Sequence, residues 1–152
     1  MQGDAVNDLT DKQVERRNKI LAMESALKQH QAKTGEEMPD IPITHHLSDG
    51  LYLRKMVMPV GALVIGKIHK HEHQIVVLSG HVLVVTEDGI DDLRGGDLRI
   101  YRAGIKRVLY ADEETVWLNI HPTSKATIEE IEDELVTEDY ATLGMKDTIW
   151  LS

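Results

Sequence analysis

The sequence contains no cysteine and no phenylalanine, and only two tryptophans and four tyrosines among its 152 residues. The lack of cysteine excludes disulfides, thiolate zinc sites and a cysteine nucleophile, so any metal must be held by His, Asp or Glu. The scarcity of aromatic residues leaves Val, Ile, Leu and Met to build the core, which favours strands. No apolar run approaches the ~18 residues that a membrane span needs, and the first residues are polar. Neither a signal peptide nor a transmembrane helix is predicted.

An excess of basic residues is also lacking, because the formal net charge is −9. Nucleic-acid binding needs a basic face that neutralises phosphates, so the charge argues against a general nucleic-acid binder. The charge is unevenly distributed: residues 1–40 carry −2, residues 41–122 carry −1, and residues 123–152 carry −6. The acidity therefore belongs to the C-terminal part of the chain.

The chain divides into three predicted segments. Residues 1–40 form an N-terminal helical arm and linker, because Thr10–Gln13 has the pattern of a helix-capping box and an apolar stripe follows at Ile20, Leu21, Met23 and Leu27. Residues 123–152 form a short acidic helix and tail, and the helix begins with a second capping box at Thr127–Glu130. Its charged residues predict a solvated helix face.

Residues 41–122 have a different pattern, in which short runs rich in β-formers alternate with turn signals such as Ser79-Gly80 and Gly95-Gly96. Short strands at even spacing, with no helices between them, predict an antiparallel sandwich or barrel. The fold class predicted for the whole chain is mainly β, with a helix at each end.

The most distinctive local feature is a run of alternate histidines at His69, His71 and His73. Alternate residues of a strand face the same side and lie ~6.5 to 7 Å apart, close enough for two imidazoles to reach one ion. His69 with His71 is the favoured pair. Residues four apart are separated by ~13 Å, so His73 is predicted to lie outside the ligand shell or to face a substrate. Imidazole and carboxylate ligands suit Fe, Mn, Ni or Zn. The alternative is a surface strand without metal.

Two stretches resemble the cupin family, whose fold is a jelly-roll β-barrel. Residues 61–80, with His69-x-His71 ahead of a Val-Leu-Ser-Gly turn, are similar to the first cupin motif, in which two histidines and a glutamate bind a metal. Residues 96–107 are similar to the second motif, which supplies the last histidine ligand. The resemblance implies a single cupin-like antiparallel β-barrel in residues 41–122.

The sequence departs from the cupin pattern at the ligand positions. His73 or Gln74 stands where the cupin glutamate would be, Arg102 replaces the turn proline, and Arg107 stands where the second-motif histidine would be. Arginine is always cationic and cannot ligate a metal. The three-histidine, one-glutamate site that the resemblance implies is therefore incomplete.

A closer resemblance is to small uncharacterised cupin-like proteins encoded by tailed bacteriophages. It is carried by five short matches: Thr44–His46, Gly50–Tyr52, Gly66–Lys70, Gly104–Arg107 and Trp117. This resemblance implies a phage origin, and a place in the host cytoplasm or in the virion.

Further candidate site residues lie outside the histidine run. His121 ends the last predicted strand and could supply a third metal ligand, although a structural role is the alternative. His45 and His46 point opposite ways in an extended chain, so at most one of them faces the barrel. Lys106 and Arg107 would suit a carboxylate or phosphate, with His45 as a further ligand-binding candidate. The alternative for Arg107 is an ion pair with Glu113 or Glu114.

Three functions follow from these features. The favoured one is a non-catalytic module that serves as an accessory or virion structural protein, and the balance of the argument is against an enzyme because the metal site is incomplete. The first alternative is a small metal-dependent isomerase or dioxygenase, and the second is a pocket that sequesters a small anion. A homo-oligomer is expected, because the helical arm and the terminal Trp150 offer apolar surface. Other virion or host proteins are further candidate partners.

Overall fold

The structure, a computed structural model, describes residues 9–36 and 40–140. Helix α1 spans Asp11–Thr34 and helix α2 spans Ile128–Leu135. The described strands are β1 (Ile43–Ser48), β2 (Leu51–Met58), β3 (Leu63–Ile65), β4 (Ile68–His69), β5 (His73–Ser79), β6 (His81–Thr86), β7 (Gly89–Arg94), β8 (Leu98–Tyr101), β9 (Val108–Ala111), β10 (Thr115–Pro122) and β11 (Val136–Thr137). The mainly β composition with two helices confirms that part of the predicted fold class.

Most of the strands belong to two antiparallel sheets. The five-stranded sheet has the order β1-β2-β10-β5-β8, and the four-stranded sheet has the order β3-β9-β6-β7. The two short strands β4 and β11 pair separately. Both larger sheets are open in the described part of the chain, so the predicted closed barrel is not formed by these pairings. The main core lies between the sheets and contains Met58, Ile75, Val77, Val84 and Trp117.

Alternation along β2, β5 and β10 separates two faces of the five-stranded sheet, although the pairing of β10 with β5 is irregular between Val116 and Trp117. Met56 of β2, Ile75 of β5 and Trp117 of β10 are buried on the inner face. We call the opposite side the outer apolar face; it carries Leu53, Val57, Val76, Leu78, Leu98, Ile100, Val116, Leu118 and Ile120. Its members Leu98 and Ile100 are 60% and 64% exposed. Large apolar side chains are therefore exposed to solvent on one side of this sheet.

Helix α1 begins at the predicted capping box, in which Thr10 and Gln13 exchange side-chain and backbone hydrogen bonds. It ends at Gly35, whose φ of 73° gives the left-handed conformation that glycine tolerates best. The helix buries Val14, Arg17 and Ile20. Of the four residues in the predicted apolar stripe, only Ile20 is therefore among the buried residues of this helix. Neither described helix combines the length with the apolar character that crossing a bilayer requires.

Charged contacts hold α1 against its own chain. Arg17 is 1% exposed, and its Nη2 lies 3.0 Å from Oε1 of the buried Glu87. The Arg17 guanidinium also lies 4.2 Å from the ring centroid of Tyr140. Farther along the helix, Glu24 accepts a 3.0 Å hydrogen bond from Nζ of Lys106. The arm is therefore docked by ion pairs as well as by apolar contacts.

Helix α2 begins at Thr127, whose hydroxyl accepts a hydrogen bond from the backbone N–H of Glu130. Its acidic residues are exposed or half-buried, as the sequence predicted, while Ile131 and Leu135 pack against Tyr52 of β2. The helix thus covers one end of the inner sheet face. The predicted contacts of Trp150 lie outside the described residues.

Candidate functional site

Three histidines meet on the inner face of the five-stranded sheet. His69 lies on β4, His73 starts β5 and His121 lies near the end of β10. The rings of His69 and His73 are stacked with centroids 4.1 Å apart, and those of His73 and His121 are 4.7 Å apart. One ring nitrogen from each residue lies within 4.8 Å of the other two, so the three buried side chains could hold a metal ion.

The membership of this cluster differs from the predicted pairing of His69 with His71. The histidine run is not one strand, because the chain bends at residues 70–72 between β4 and β5. The two strands have different partners: β4 pairs with β11, and β5 pairs with β8 and β10. The bend brings His69 and His73 together and leaves His71 exposed. The expected ~13 Å separation of His69 and His73 assumed a regular strand and was wrong.

Arg107 extends its guanidinium into the histidine cluster. Its Nη1 lies 2.6 Å from Nε2 of His73, and its Nη2 lies 3.0 Å from Nε2 of His69. Nη2 also donates to Oδ1 of Asn119 at 2.9 Å. The segment before β9 is fixed by backbone bonds, in which Gly66 N–H donates to Arg107 O at 3.0 Å and His69 N–H donates to Ile105 O at 2.9 Å. The sequence alternative, an ion pair of Arg107 with Glu113 or Glu114, is not formed.

These contacts determine which ring nitrogens carry protons. A guanidinium can only donate, so Nε2 of both His69 and His73 must be the acceptor, and the proton of each neutral ring lies on Nδ1. The second contact of His73 agrees, because its Nδ1 lies 3.1 Å from the carbonyl oxygen of His71. Nδ1 of His69 is buried and has no hydrogen-bond partner in the described part of the chain. His69 therefore presents a buried N–H donor.

The electrostatics keep the cluster histidines neutral. Burial, followed by the charge of Arg107, lowers the pKa of His73 to about 3 and that of His121 to about 4. The same two causes hold the pKa of His69 well below its usual range. Burial also lowers the pKa of Arg107 to about 10, which leaves it charged at neutral pH. The site thus contains one fixed positive charge among three neutral rings.

A cavity of about 310 Å³ lies beside the cluster. Its charged lining residues are Arg54, Lys67, Arg107 and Glu132. Its apolar lining includes Ile43, Met56, Leu109, Leu135 and Val136. Three buried nitrogens of lining residues have no partner within the described residues, namely Nδ1 of His69, Nδ1 of His121 and Nε1 of Trp117. The cavity is therefore apolar over much of its wall, with an excess of cationic and unpartnered polar groups.

Two predicted ligand-binding residues lie elsewhere. Lys106 is buried, but its ammonium pairs with Glu24 of α1 and it is not part of the cavity wall. Of these two adjacent residues, Arg107 contacts the histidines, while Lys106 contacts Glu24. His45 is exposed on the edge strand β1, where its Nδ1 lies 2.6 Å from the hydroxyl of Tyr52. His45 thus contacts a lining residue rather than the cavity itself.

Sequence reasoning missed Arg54 and Asn119 as site residues. They are paired neighbours on β2 and β10. The signal was available in the alternation: Tyr52, Arg54 and Met56 share one face of β2, and Trp117, Asn119 and His121 share one face of β10. A polar residue in the inward register of an otherwise apolar strand face indicates a polar interior site.

Comparison with known proteins supports the fold. No protein-family model matches the sequence, and no curated protein sequence matches it. An uncharacterized conserved protein with a double-stranded β-helix domain from Klebsiella pneumoniae is similar in structure, with a TM-score of 0.51 and 14% identity over 60% of this chain and 84% of that chain. A cupin superfamily protein from Desulfitobacterium hafniense has a TM-score of 0.49 and 14% identity over 59% and 83% of the two chains. A cupin domain from Bordetella pertussis has a TM-score of 0.47 and 18% identity over 59% and 99%. The Klebsiella structure supports a double-stranded β-helix fold for this chain.

Proposed function

We propose that this protein is a non-catalytic cupin-like binding module whose cavity holds a small organic anion. The observation that carries the proposal is the charge of Arg107, which is 5% exposed. No carboxylate of residues 9–36 and 40–140 forms an ion pair with it. A buried charge without a counter-ion is costly, and an anionic ligand would supply the counter-ion.

The rest of the cavity indicates the class of anion. Arg54 and Lys67 add positive charge, against the single carboxylate of Glu132. A guanidinium forms strong, charge-assisted hydrogen bonds with a carboxylate. The apolar wall and the volume of about 310 Å³ suit a ligand with a compact hydrocarbon body. We therefore favour a monocarboxylate with an aromatic or branched aliphatic group.

The hydrogen bonds of the cluster support a role without turnover. A general base must have a free lone pair, but Nε2 of His69 and of His73 already accept from Arg107. The other nitrogen of His73 donates to the backbone of His71. These histidines hold the guanidinium in place and are not available as proton acceptors.

A metal-dependent isomerase or dioxygenase is the second candidate, because three histidine nitrogens lie close enough to hold Fe, Mn, Ni or Zn. The low pKa values of His73 and His121 would favour it, since a ligating imidazole must be unprotonated. Metal binding would nevertheless need Arg107 to leave two of the three rings. Elemental analysis of the untagged wild type, purified without chelators, separates this candidate from the anion pocket.

Ligand binding is tested by thermal shift and calorimetry with benzoate, butyrate and inorganic phosphate. A ligand at 100 times its Kd adds ~2.7 kcal/mol to stability, which raises the Tm of a domain of this size by about 5 to 10 °C. We expect benzoate to raise the Tm of the wild type, Arg107→Gln to abolish the shift and Arg54→Gln to reduce it.

Arg99→Gln is the matched control, because Arg99 is exposed and its Nη1 donates to the carbonyl of the neighbouring Leu98, away from the cavity. It should retain the full shift. If none of the three anions stabilises the wild type, or if Arg107→Gln retains the shift, the proposed pocket is wrong.

We also propose that the module is a homo-oligomer in which the outer apolar face meets a second copy. The face carries nine apolar side chains, and Lys55 is the only charged side chain between them on the described strands. Copies that each carry a net charge of −9 repel through their acidic surfaces, but no acidic residue of the described strands lies on this face. Four strands about 4.8 Å apart and up to eight residues long cover roughly 500 Å² in projection, which approaches the area that a stable interface uses on each partner.

Light scattering of the full chain tests this interface. Leu98→Glu should shift the mass toward the monomer, whereas Ile90→Glu, at a 70% exposed position of the other sheet, should not. A wild type that is monomeric at high protein concentration would refute the interface. The proposed role as an accessory or virion structural protein, with host or virion partners in the host cytoplasm or the particle, is supported by the sequence resemblance to phage-encoded proteins.

A further inference from the structure

The position of Arg107 has a consequence for metal binding that is separate from anion binding. Its guanidinium contacts Nε2 of His73 at 2.6 Å and Nε2 of His69 at 3.0 Å. Each imidazole acceptor has a single lone pair in the ring plane, and that lone pair can bind either a hydrogen or a metal ion. Both lone pairs are directed to the guanidinium here.

The remaining nitrogens do not offer a second arrangement. Nδ1 of His73 points to the carbonyl oxygen of His71, so this ring has no unoccupied acceptor. His69 carries its proton on Nδ1, because Nε2 accepts from Arg107. His121 alone keeps a ring free of the guanidinium. A divalent ion would also meet the permanent positive charge of Arg107 at close range.

We propose that Arg107 is the resident cation of the three-histidine cluster and that its side chain keeps divalent metal ions out. The cluster is then a latent metal site, and the identity of residue 107 selects between a guanidinium and a metal. Replacing Arg107 with a small residue removes the competing donors and the charge, and it frees Nε2 of His69 and His73. The cluster would then bind a divalent first-row metal through three imidazoles, with positions left for water.

The backbone should keep the cluster in place after such a substitution. Arg107 is held through its own carbonyl by Gly66, and His69 is held through its N–H by Ile105. His121 is fixed by its pairing with Tyr52 in the middle of the sheet. None of these bonds uses the Arg107 side chain. The three imidazoles therefore depend on strand pairing and loop closure for their positions.

The test is a titration of the full-length chain with Co²⁺, without added anion, followed by visible absorption and by calorimetry. We expect Arg107→Ala to bind one Co²⁺ with the d–d bands of a nitrogen-ligated ion, at least 100-fold more tightly than the wild type. The double variant Arg107→Ala/His121→Ala should lose this binding, which ties it to the cluster. Arg99→Ala, which removes an exposed arginine, should behave as the wild type.

Circular dichroism establishes that each variant is folded, and Arg107→Gln serves in place of Arg107→Ala if the latter does not fold. A folded variant that binds Co²⁺ no more tightly than the wild type overturns the inference. So does a wild type that binds stoichiometric Co²⁺ through its histidines. The inference and the anion pocket fail separately, because the gain of metal by Arg107→Ala does not require that the wild type bind benzoate.

Discussion

Acidification should destabilise this protein well before its carboxylates titrate. The cluster histidines are neutral in the folded chain, with pKa values of about 3 for His73 and about 4 for His121, whereas an unfolded histidine titrates near 6.5. A lowered folded pKa means that the unfolded chain binds more protons below pH 6.5. The stability contributed by these groups is therefore complete above about pH 6.5 and is lost as the pH falls toward 4.

The magnitude follows from the number of histidines. Each one costs about 1.4 kcal/mol per pH unit, so His73 and His121 together give an upper bound of roughly 6 kcal/mol between about pH 6.5 and 4.5, to which His69 adds in the same direction. Solvent in the cavity screens the charges, and we expect about half of that bound. A loss of about 3 kcal/mol is a large part of the 5 to 15 kcal/mol that holds a typical domain together.

Two other groups, His81 and Asp88, also affect how the free energy of unfolding depends on pH. The carboxylates of Asp92 and Asp112 raise the pKa of His81, so this residue adds stability as the pH falls and partly opposes the cluster. The pKa of Asp88 is lowered despite its burial, because Arg102 and Gln13 bond to its charged form. Asp88 therefore acts below about pH 4, outside the window.

Urea unfolding at about pH 7.0, 5.5 and 4.5, followed by the fluorescence of the buried Trp117, measures the effect without added anion. His121→Asn should reduce the slope of the free energy of unfolding by up to about 1.4 kcal/mol per pH unit, because one neutral ring is removed. A free energy that is flat or rises from pH 7.0 to 4.5, or a slope that His121→Asn leaves unchanged, would refute the electrostatic account of the cluster.

Two further substitutions test the packing. Glu87→Gln removes the buried partner of Arg17 and should lower the free energy of unfolding in urea by about 3 to 5 kcal/mol. The control Asp88→Asn changes a more exposed carboxylate and should lower it by less than about 1 kcal/mol. Equal losses would contradict this account of how α1 docks. Gly80→Ala should lower the Tm far more than Gly61→Ala. Both glycines have positive φ, but a Cβ at Gly80 would overlap the backbone of Glu114 and Thr115 at the start of β10, while one at Gly61 meets open space. Similar Tm values would show that this contact is not limiting.

The sequence predicted the elements better than it predicted the site. The capping box at Thr10 and the alternating apolar runs predicted where α1 begins and that the middle of the chain is β, because both depend on local periodicity. His69 and His73 were mispredicted as distant members of one strand, since the bend at residues 70–72 is imposed by the different partners of β4 and β5. Pairing between strands that are distant in the sequence cannot be predicted from the residues next to the bend.

Arg107 illustrates a second kind of limit. The sequence placed it where a cupin-like chain would have a histidine, and this predicted an incomplete metal site. Whether the guanidinium points toward the histidines or toward Glu113 depends on the fold of the loop over Gly66, which is a tertiary contact. Lys106 shows the same dependence, because its ammonium turns the other way to Glu24.

The two sides of strand β10 belong to two different surfaces, the cavity and the outer apolar face. Trp117, Asn119 and His121 face the cavity, while Leu118 and Ile120 alternate with them on the outer apolar face. The two sets are interleaved in one eight-residue stretch, so point substitutions can alter ligand preference and self-association independently during evolution. A single inserted or deleted residue would instead exchange the sets and turn this part of the sheet inside out. Homologues of this protein should therefore differ more readily in the residue identities of β10 than in the length of this strand.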